Sequence, residues 1–118
     1  MARLVVEGDE VVVRLAPREA LPARRREVRV RSADVRDVRV EPAWWRALRG
    51  TQLGGRCRPG RWCVGERLHV LGRDFVAVRA GVPVVVLELR RPVPFTRLAV
   101  SVADAGQVAE SVRRRLGA

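Results

Sequence analysis

Polar and apolar positions alternate in short β-branched runs over the first forty residues. Arg3 to Glu7 and Glu10 to Leu15 are two such runs, and the two-residue loop Gly8-Asp9 between them predicts a hairpin. Pro17 to Arg26 breaks the pattern. Its Pro17, Glu19, Ala20 and Leu21 suit a short helical turn that Pro22 limits. Val28 and Val30 then alternate with Arg29 and Arg31, and Val38 and Val40 with Arg39 and Glu41, which is the period of half-buried strands. Ser32 to Asp37 interrupts that period as a turn or bulge. Beyond a long irregular middle, Arg67 to Leu71, Asp74 to Ala80 and Pro83 to Leu89 are strand-like, with tight connections at Gly72-Arg73 and Gly81-Val82. Pro92 and Pro94 precede a last strand in which Leu98, Val100 and Val102 alternate with Ala99 and Ser101.

The period then changes from two to 3.6. Ala105, Val108, Ala109, Val112 and Leu116 fall on one helical face. Asp104 stands at the N-cap position with Gln107 three residues on, a capping-box pattern. Arg113, Arg114 and Arg115 occupy the last turn, where cations complement the helix dipole, and Gly117 stands at the C-cap. This helix is expected to cover a core of Val28, Val30, Phe75, Leu87, Leu89, Leu98, Val100 and Val102 through Val108, Val112 and Leu116. Glu41 and Glu88 alternate with apolar neighbours and are expected to face solvent.

The middle, Pro42 to Gly65, holds five glycines, two prolines, all three tryptophans, both cysteines and no acid. It is expected to be a long loop or loose hairpin within a single domain spanning 1–118. Loops of this length in compact domains are usually functional. Trp44, Trp45, Arg46, Arg49, Arg56, Arg58, Arg61 and Trp62 therefore form the candidate partner-binding set. Aromatic rings among arginines suit stacking on unpaired bases, or an anionic membrane interface. The competing reading packs one tryptophan under the loop as a satellite core and leaves another exposed.

Charge sharpens the choice of partner. The chain has 118 residues and a net charge of +11, all of its 24 basic residues being arginine. Lysine, isoleucine, tyrosine and asparagine are absent. All four use AT-rich codons, which points to a GC-rich bacterial gene and makes part of the arginine excess compositional. The remaining field favours nucleic acid, an anionic membrane or an acidic protein. Without lysine no Walker-type phosphate loop is possible, and neither a G-x-S-x-G nor an H-E-x-x-H motif occurs. His69 has no partner suggested by spacing. Cys57 and Cys63, too few with one histidine for a structural zinc site, are expected as free thiols in a reducing compartment; a local disulfide is the alternative. Arg58 and Arg61, if close, would activate such a thiol, but inert thiols are the expectation. No cofactor and no small-molecule substrate are indicated. The apolar run Val82 to Leu87 is too short to span a bilayer, and Glu7, Asp9 and Glu10 exclude a signal-peptide core at the N-terminus. The expected location is cytoplasmic, with a peripheral position at the inner membrane face left open.

Short strands followed by one amphipathic helix resemble the small bacterial pleckstrin-homology-like (PH-like) domains. The resemblance is carried by Glu27 to Val35, Gly72 to Arg79, and Leu98 to Asp104, and covers most of the chain outside 42–65. It implies a mainly β (α+β) fold: a barrel of about seven short antiparallel strands in two near-orthogonal sheets, capped by the C-terminal helix. Phosphoinositide-binding members place basic residues around the first hairpin loop, whereas here Glu7 and Glu10 flank it, so that activity is not implied. What the resemblance implies is a non-catalytic scaffold of the bacterial cytoplasm that binds a protein partner or itself. Nucleic-acid binding through the Trp/Arg loop is the alternative.

Overall fold

The structure is a computed structural model that describes residues 1–90 and 94–116. β1 (Arg3–Glu7), β2 (Glu10–Arg14) and β3 (Glu27–Arg31) form a three-stranded antiparallel sheet. The second sheet has seven strands. β4 (Val35–Glu41), β9 (Val84–Leu89), β10 (Arg97–Ser101), β8 (Gly72–Arg79), β7 (Trp62–His69) and β5 (Thr51–Gln52) follow one another across it, and β6 (Arg56–Arg58) also pairs with β7. Two helices complete the fold, α1 (Pro17–Ala23) and α2 (Ala105–Leu116). The protein is thus mainly β, with two sheets and a C-terminal helix, as the patterning predicts.

The details depart from about seven antiparallel strands. Ten strands are present among the described residues, and β10 runs parallel to β8 (Leu98 opposite Phe75) while antiparallel to β9 (Leu98 opposite Leu87). β10 is inserted between β8 and β9, so Gly81-Val82 lies in an arch over a third strand rather than in a tight hairpin. Ser101 of β10 fills that arch: its hydroxyl accepts the Arg79 N–H at 3.0 Å and reaches the Val82 carbonyl at 3.2 Å. Alternation is the same for adjacent and interleaved pairing, which is why the sequence pattern did not reveal the insertion.

Between the sheets lies one apolar cluster containing every core residue expected from the patterning, Val28, Val30, Phe75, Leu87, Leu89, Leu98, Val100 and Val102 among them. α2 closes it with Ala105, Ala109 and Val112 buried and Val108 and Leu116 packed at its margin. The expected Asp104 capping box is not what starts this helix. Asp104 adopts a left-handed φ of 55°, outside the extended conformation of an N-cap, and its contribution is the backbone carbonyl that accepts the Val108 N–H. Arg113 does more than face the dipole. Its Nε and Nη2 both donate to the Val38 carbonyl, at 3.1 and 2.8 Å, tying α2 to edge strand β4. Pro92 and Gly117 lie outside the described residues.

The segment 42–65 is structured rather than loose. A 3-10 turn at Trp44–Ala47 leads to β5 and β6, which share the outer edge of β7 end to end. This segment folds over the outer face of the large sheet. There Val76, Val78, Val84, Val86, Ala99 and Cys63 make a second buried cluster under Ala47, with Trp44 and Leu48 at its margin. Cys57 and Cys63 sit directly opposite in the β6–β7 register and are joined as a disulfide, so the expectation of free thiols is overturned and the local disulfide is the one found. The hairpin register brings the two residues together, a fact that six residues of separation alone do not specify.

Candidate functional site: a basic cleft beside a buried polar row

The outer face of the large sheet carries a row of alternating charge. Arg67 of β7 stands opposite Asp74 of β8, Asp74 opposite Arg97 of β10, and Arg97 opposite Glu88 of β9. Asp74 is wholly buried, and Arg49 grips it with Nε at 2.6 Å and Nη2 at 3.0 Å. The Thr96 hydroxyl lies 2.9 Å and His69 Nε2 lies 2.8 Å from its Oδ1. Burial pushes the Asp74 carboxyl up, but the hydrogen bonds from Arg49, His69 and Thr96 outweigh it and hold the group below the usual carboxylate range. Glu88 behaves alike. Burial raises it, the Arg97 hydrogen bonds lower it further, and the charges of Arg97, Arg39 and Arg49 add to the lowering. Glu88 is therefore a half-buried ion-pair member, not the solvent-facing residue its alternation suggests.

His69 has the partner that spacing did not indicate. With Nε2–H donated to Asp74, its Nδ1 accepts the Leu71 N–H at 3.1 Å. Both ring nitrogens are occupied, so this His–Asp pair leaves no base to move a substrate proton. The row is architectural: it satisfies polar groups beneath the 42–65 segment. A sequence signal did exist. His69 and Arg67 lie on one face of a strand, and a short turn returns Asp74 to that face.

A cavity lies on the other face, between α1 and the β6–β7 edge. It is a cleft of about 860 Å³ lined by Arg18, Arg24, Arg25 and Arg56, with Trp62 and Glu66 in its wall. α1 is built by Pro17 in its first turn and by Glu19, whose carboxylate accepts the Ala16 N–H at 2.9 Å; it ends where Arg24 turns left-handed at φ 57°. That turn throws Arg24 and Arg25 apart. Arg25 goes inward, with its guanidinium 5.7 Å from the Phe75 ring centroid and 5.4 Å from that of Phe95, and pairs with Glu66 at 3.5 Å. Glycines form the opposite wall. A Cβ on Gly65 would meet the Gly54 carbonyl oxygen at 2.2 Å, and one on Gly55 would meet the Val64 carbonyl oxygen at 2.1 Å, so the wall exists only because both are glycine.

The expected Trp/Arg set is dispersed by the fold. Arg56 and Trp62 belong to the cleft. Arg49 is committed to Asp74. Trp44 packs on the outer cluster, whereas Trp45 is exposed with the Arg46 guanidinium 5.2 Å from its ring centroid. Arg58 and Arg61 lie exposed around the β6–β7 turn, outside the cleft. In their place the cleft recruits Arg18 from α1 and Arg24 and Arg25 from the connection after it. Acids collect elsewhere: Glu7, Glu10 and Glu27 meet Arg14 and Arg29 on the outer face of the small sheet. No protein-family model matches the chain, and neither curated proteins nor solved structures give a significant match.

Proposed function

We propose that this protein is a non-catalytic interaction module whose basic cleft holds an acidic segment of a protein partner. The observation that carries this reading is the convergence of Arg18, Arg24, Arg25 and Arg56 on one cleft with Glu66 the single acid in its described lining. A strand scaffold that presents such a surface is in keeping with the PH-like resemblance, although the parallel β8–β10 pair is a departure from it. The described lining offers guanidinium groups, one carboxylate and an indole, which suit recognition of carboxylates by paired hydrogen bonds.

Nucleic acid is supported less well by the same geometry. Binding unpaired bases needs free aromatic faces. Trp44 and Trp62 pack against the two core clusters, and exposed Trp45 carries Arg46 over its ring on the far side of the sheet. The test is fluorescence anisotropy of a labelled Asp/Glu-rich peptide against the full chain, with an oligo-dT strand as competitor. The expected result is peptide binding that weakens about tenfold or more in the Arg18→Ser/Arg56→Ser variant, because charged contacts dominate. Oligo-dT binding that is tighter than peptide binding would replace this reading with the nucleic-acid one.

A further inference from the structure

The β7–β8 hairpin turns on Val70 and Leu71, and this turn has unusual chemistry. Two-residue hairpin turns favour glycine, asparagine and aspartate. Here two adjacent aliphatic side chains occupy the tip, Val70 fully exposed and Leu71 65% exposed. Leu68, one strand position further in, is 45% exposed as well. Single exposed aliphatic residues are ordinary, but three within four positions on a projecting turn are not.

The turn is also held firmly. The Leu71 N–H donates to His69 Nδ1, His69 Nε2–H donates to buried Asp74, and Asp74 is gripped by Arg49. The polar row thus ends in a rigid support for an apolar tip. Arg73 stands cross-strand from Leu68, and Arg67 and Arg49 lie on the opposite face. The nearby carboxylates are already matched: Asp74 by Arg49, and Glu66 by Arg25 and Arg73 at 3.5 and 3.4 Å. Arg67 is held by the Arg49 and Gly50 carbonyls and by Gln52, so Arg73 is the exposed cation beside the tip.

We propose that Val70 and Leu71 insert into the interface of an anionic lipid bilayer, with the exposed Arg73 beside them meeting the headgroup phosphates. A convex apolar tip with an exposed arginine beside it, on a chain of net charge +11, fits a deformable anionic surface, since aliphatic insertion and headgroup attraction act together there. His69 and Asp74 act as positioning residues for the tip. This docking is separate from the cleft and does not depend on what the cleft holds.

The test is co-sedimentation of the full chain with phosphatidylcholine vesicles, with and without phosphatidylglycerol, at physiological salt. The chain is expected to pellet with the phosphatidylglycerol vesicles and to stay in solution with phosphatidylcholine alone. Val70→Ser/Leu71→Ser, which leaves the core untouched, should lower the partition coefficient about tenfold or more. Arg18→Ser/Arg56→Ser should leave it unchanged, which separates this proposal from the cleft reading. Leu71→Trp should bind at least as well and shift its emission to the blue on anionic vesicles. A wild-type chain that ignores anionic vesicles overturns the proposal, as does a serine variant that pellets equally well. A tip-dependent change in elution volume without vesicle binding also overturns it, and assigns the tip to a second copy of the chain.

Discussion

Asp74 shows how one residue sets the pH behaviour of this protein. Its carboxyl is held below the usual range when folded, so the folded state binds fewer protons than the unfolded chain as pH falls through the carboxylate range. Its stabilising contribution is therefore complete above the unfolded value, declines as pH drops below it, and is gone once pH passes the lower folded value. Glu88 contributes with the same sign. The expected outcome is a urea midpoint that is flat from neutral pH to the upper edge of the carboxylate range and falls below it. Asp74→Asn should flatten that fall. Asp74→Ala, which strips the partner from Arg49, should cost about 3–5 kcal/mol in urea unfolding, toward the lower end because Arg49 is a quarter exposed. None of these partners was legible at the residue scale. Asp74 reads as the first residue of a strand and His69 as an isolated one, because a sequence places neither Arg49 nor Thr96 against them.

Elements were read more faithfully than the contacts between them. α2 and its buried face follow from a 3.6-residue period that this short helix cannot satisfy without a sheet to cover. Val112 is its most central buried position; Val112→Asp places an unpaired carboxylate in the core and should lower stability by several kcal/mol, seen as a collapse of the circular-dichroism melting transition. An unchanged melt would show that α2 is not the cap. In the 42–65 segment, glycine and proline content correctly marks irregular backbone but hides three short elements. Those elements are stabilised by β7 and by the disulfide rather than by their own propensity. Reducing Cys57–Cys63 opens a short-loop crosslink and should cost about 2 kcal/mol. A denaturation midpoint insensitive to dithiothreitol would remove the crosslink from the account. Gly65→Ala should damage the fold and the cleft together: its Cβ meets the Gly54 carbonyl oxygen at 2.2 Å at a positive φ, so both the melting temperature and acidic-peptide binding are expected to fall.

Across the whole molecule, charge is arranged rather than merely abundant. The small sheet's outer face pairs three carboxylates with two guanidiniums, and buried Val12 lies on that face between them in register. At the α1 cleft Arg18, Arg24 and Arg56 have no carboxylate partner among the described residues, and the same holds for exposed Arg58 and Arg61 around the β6–β7 turn. Binding of an acidic peptide should accordingly weaken steeply as salt rises, since contacts between exposed charges are screened within about 10 Å at 0.1 M ionic strength. An affinity that does not change with salt would mean that the cleft arginines take no part. Among the described residues no helix is long and apolar enough to cross a membrane, so contact with a bilayer, if made as proposed, is made from its surface.

Hydrophobic period, turn chemistry and composition were enough to determine a mainly β chain, its expected core residues, its C-terminal helix and its surplus of positive charge. Those properties depend on which face of an element a residue occupies, and spacing along the chain specifies that directly. The tertiary structure alone decided the insertion of β10 between β8 and β9, the burial of Asp74 under Arg49, the Cys57–Cys63 pairing and the dispersal of the Trp/Arg set. Each of these depends on which strand lies beside which. Alternating sequences satisfy many pairings equally well until side chains such as Ser101, Asp74 and Arg97 find, on a neighbouring strand, the one partner that meets their hydrogen-bonding needs.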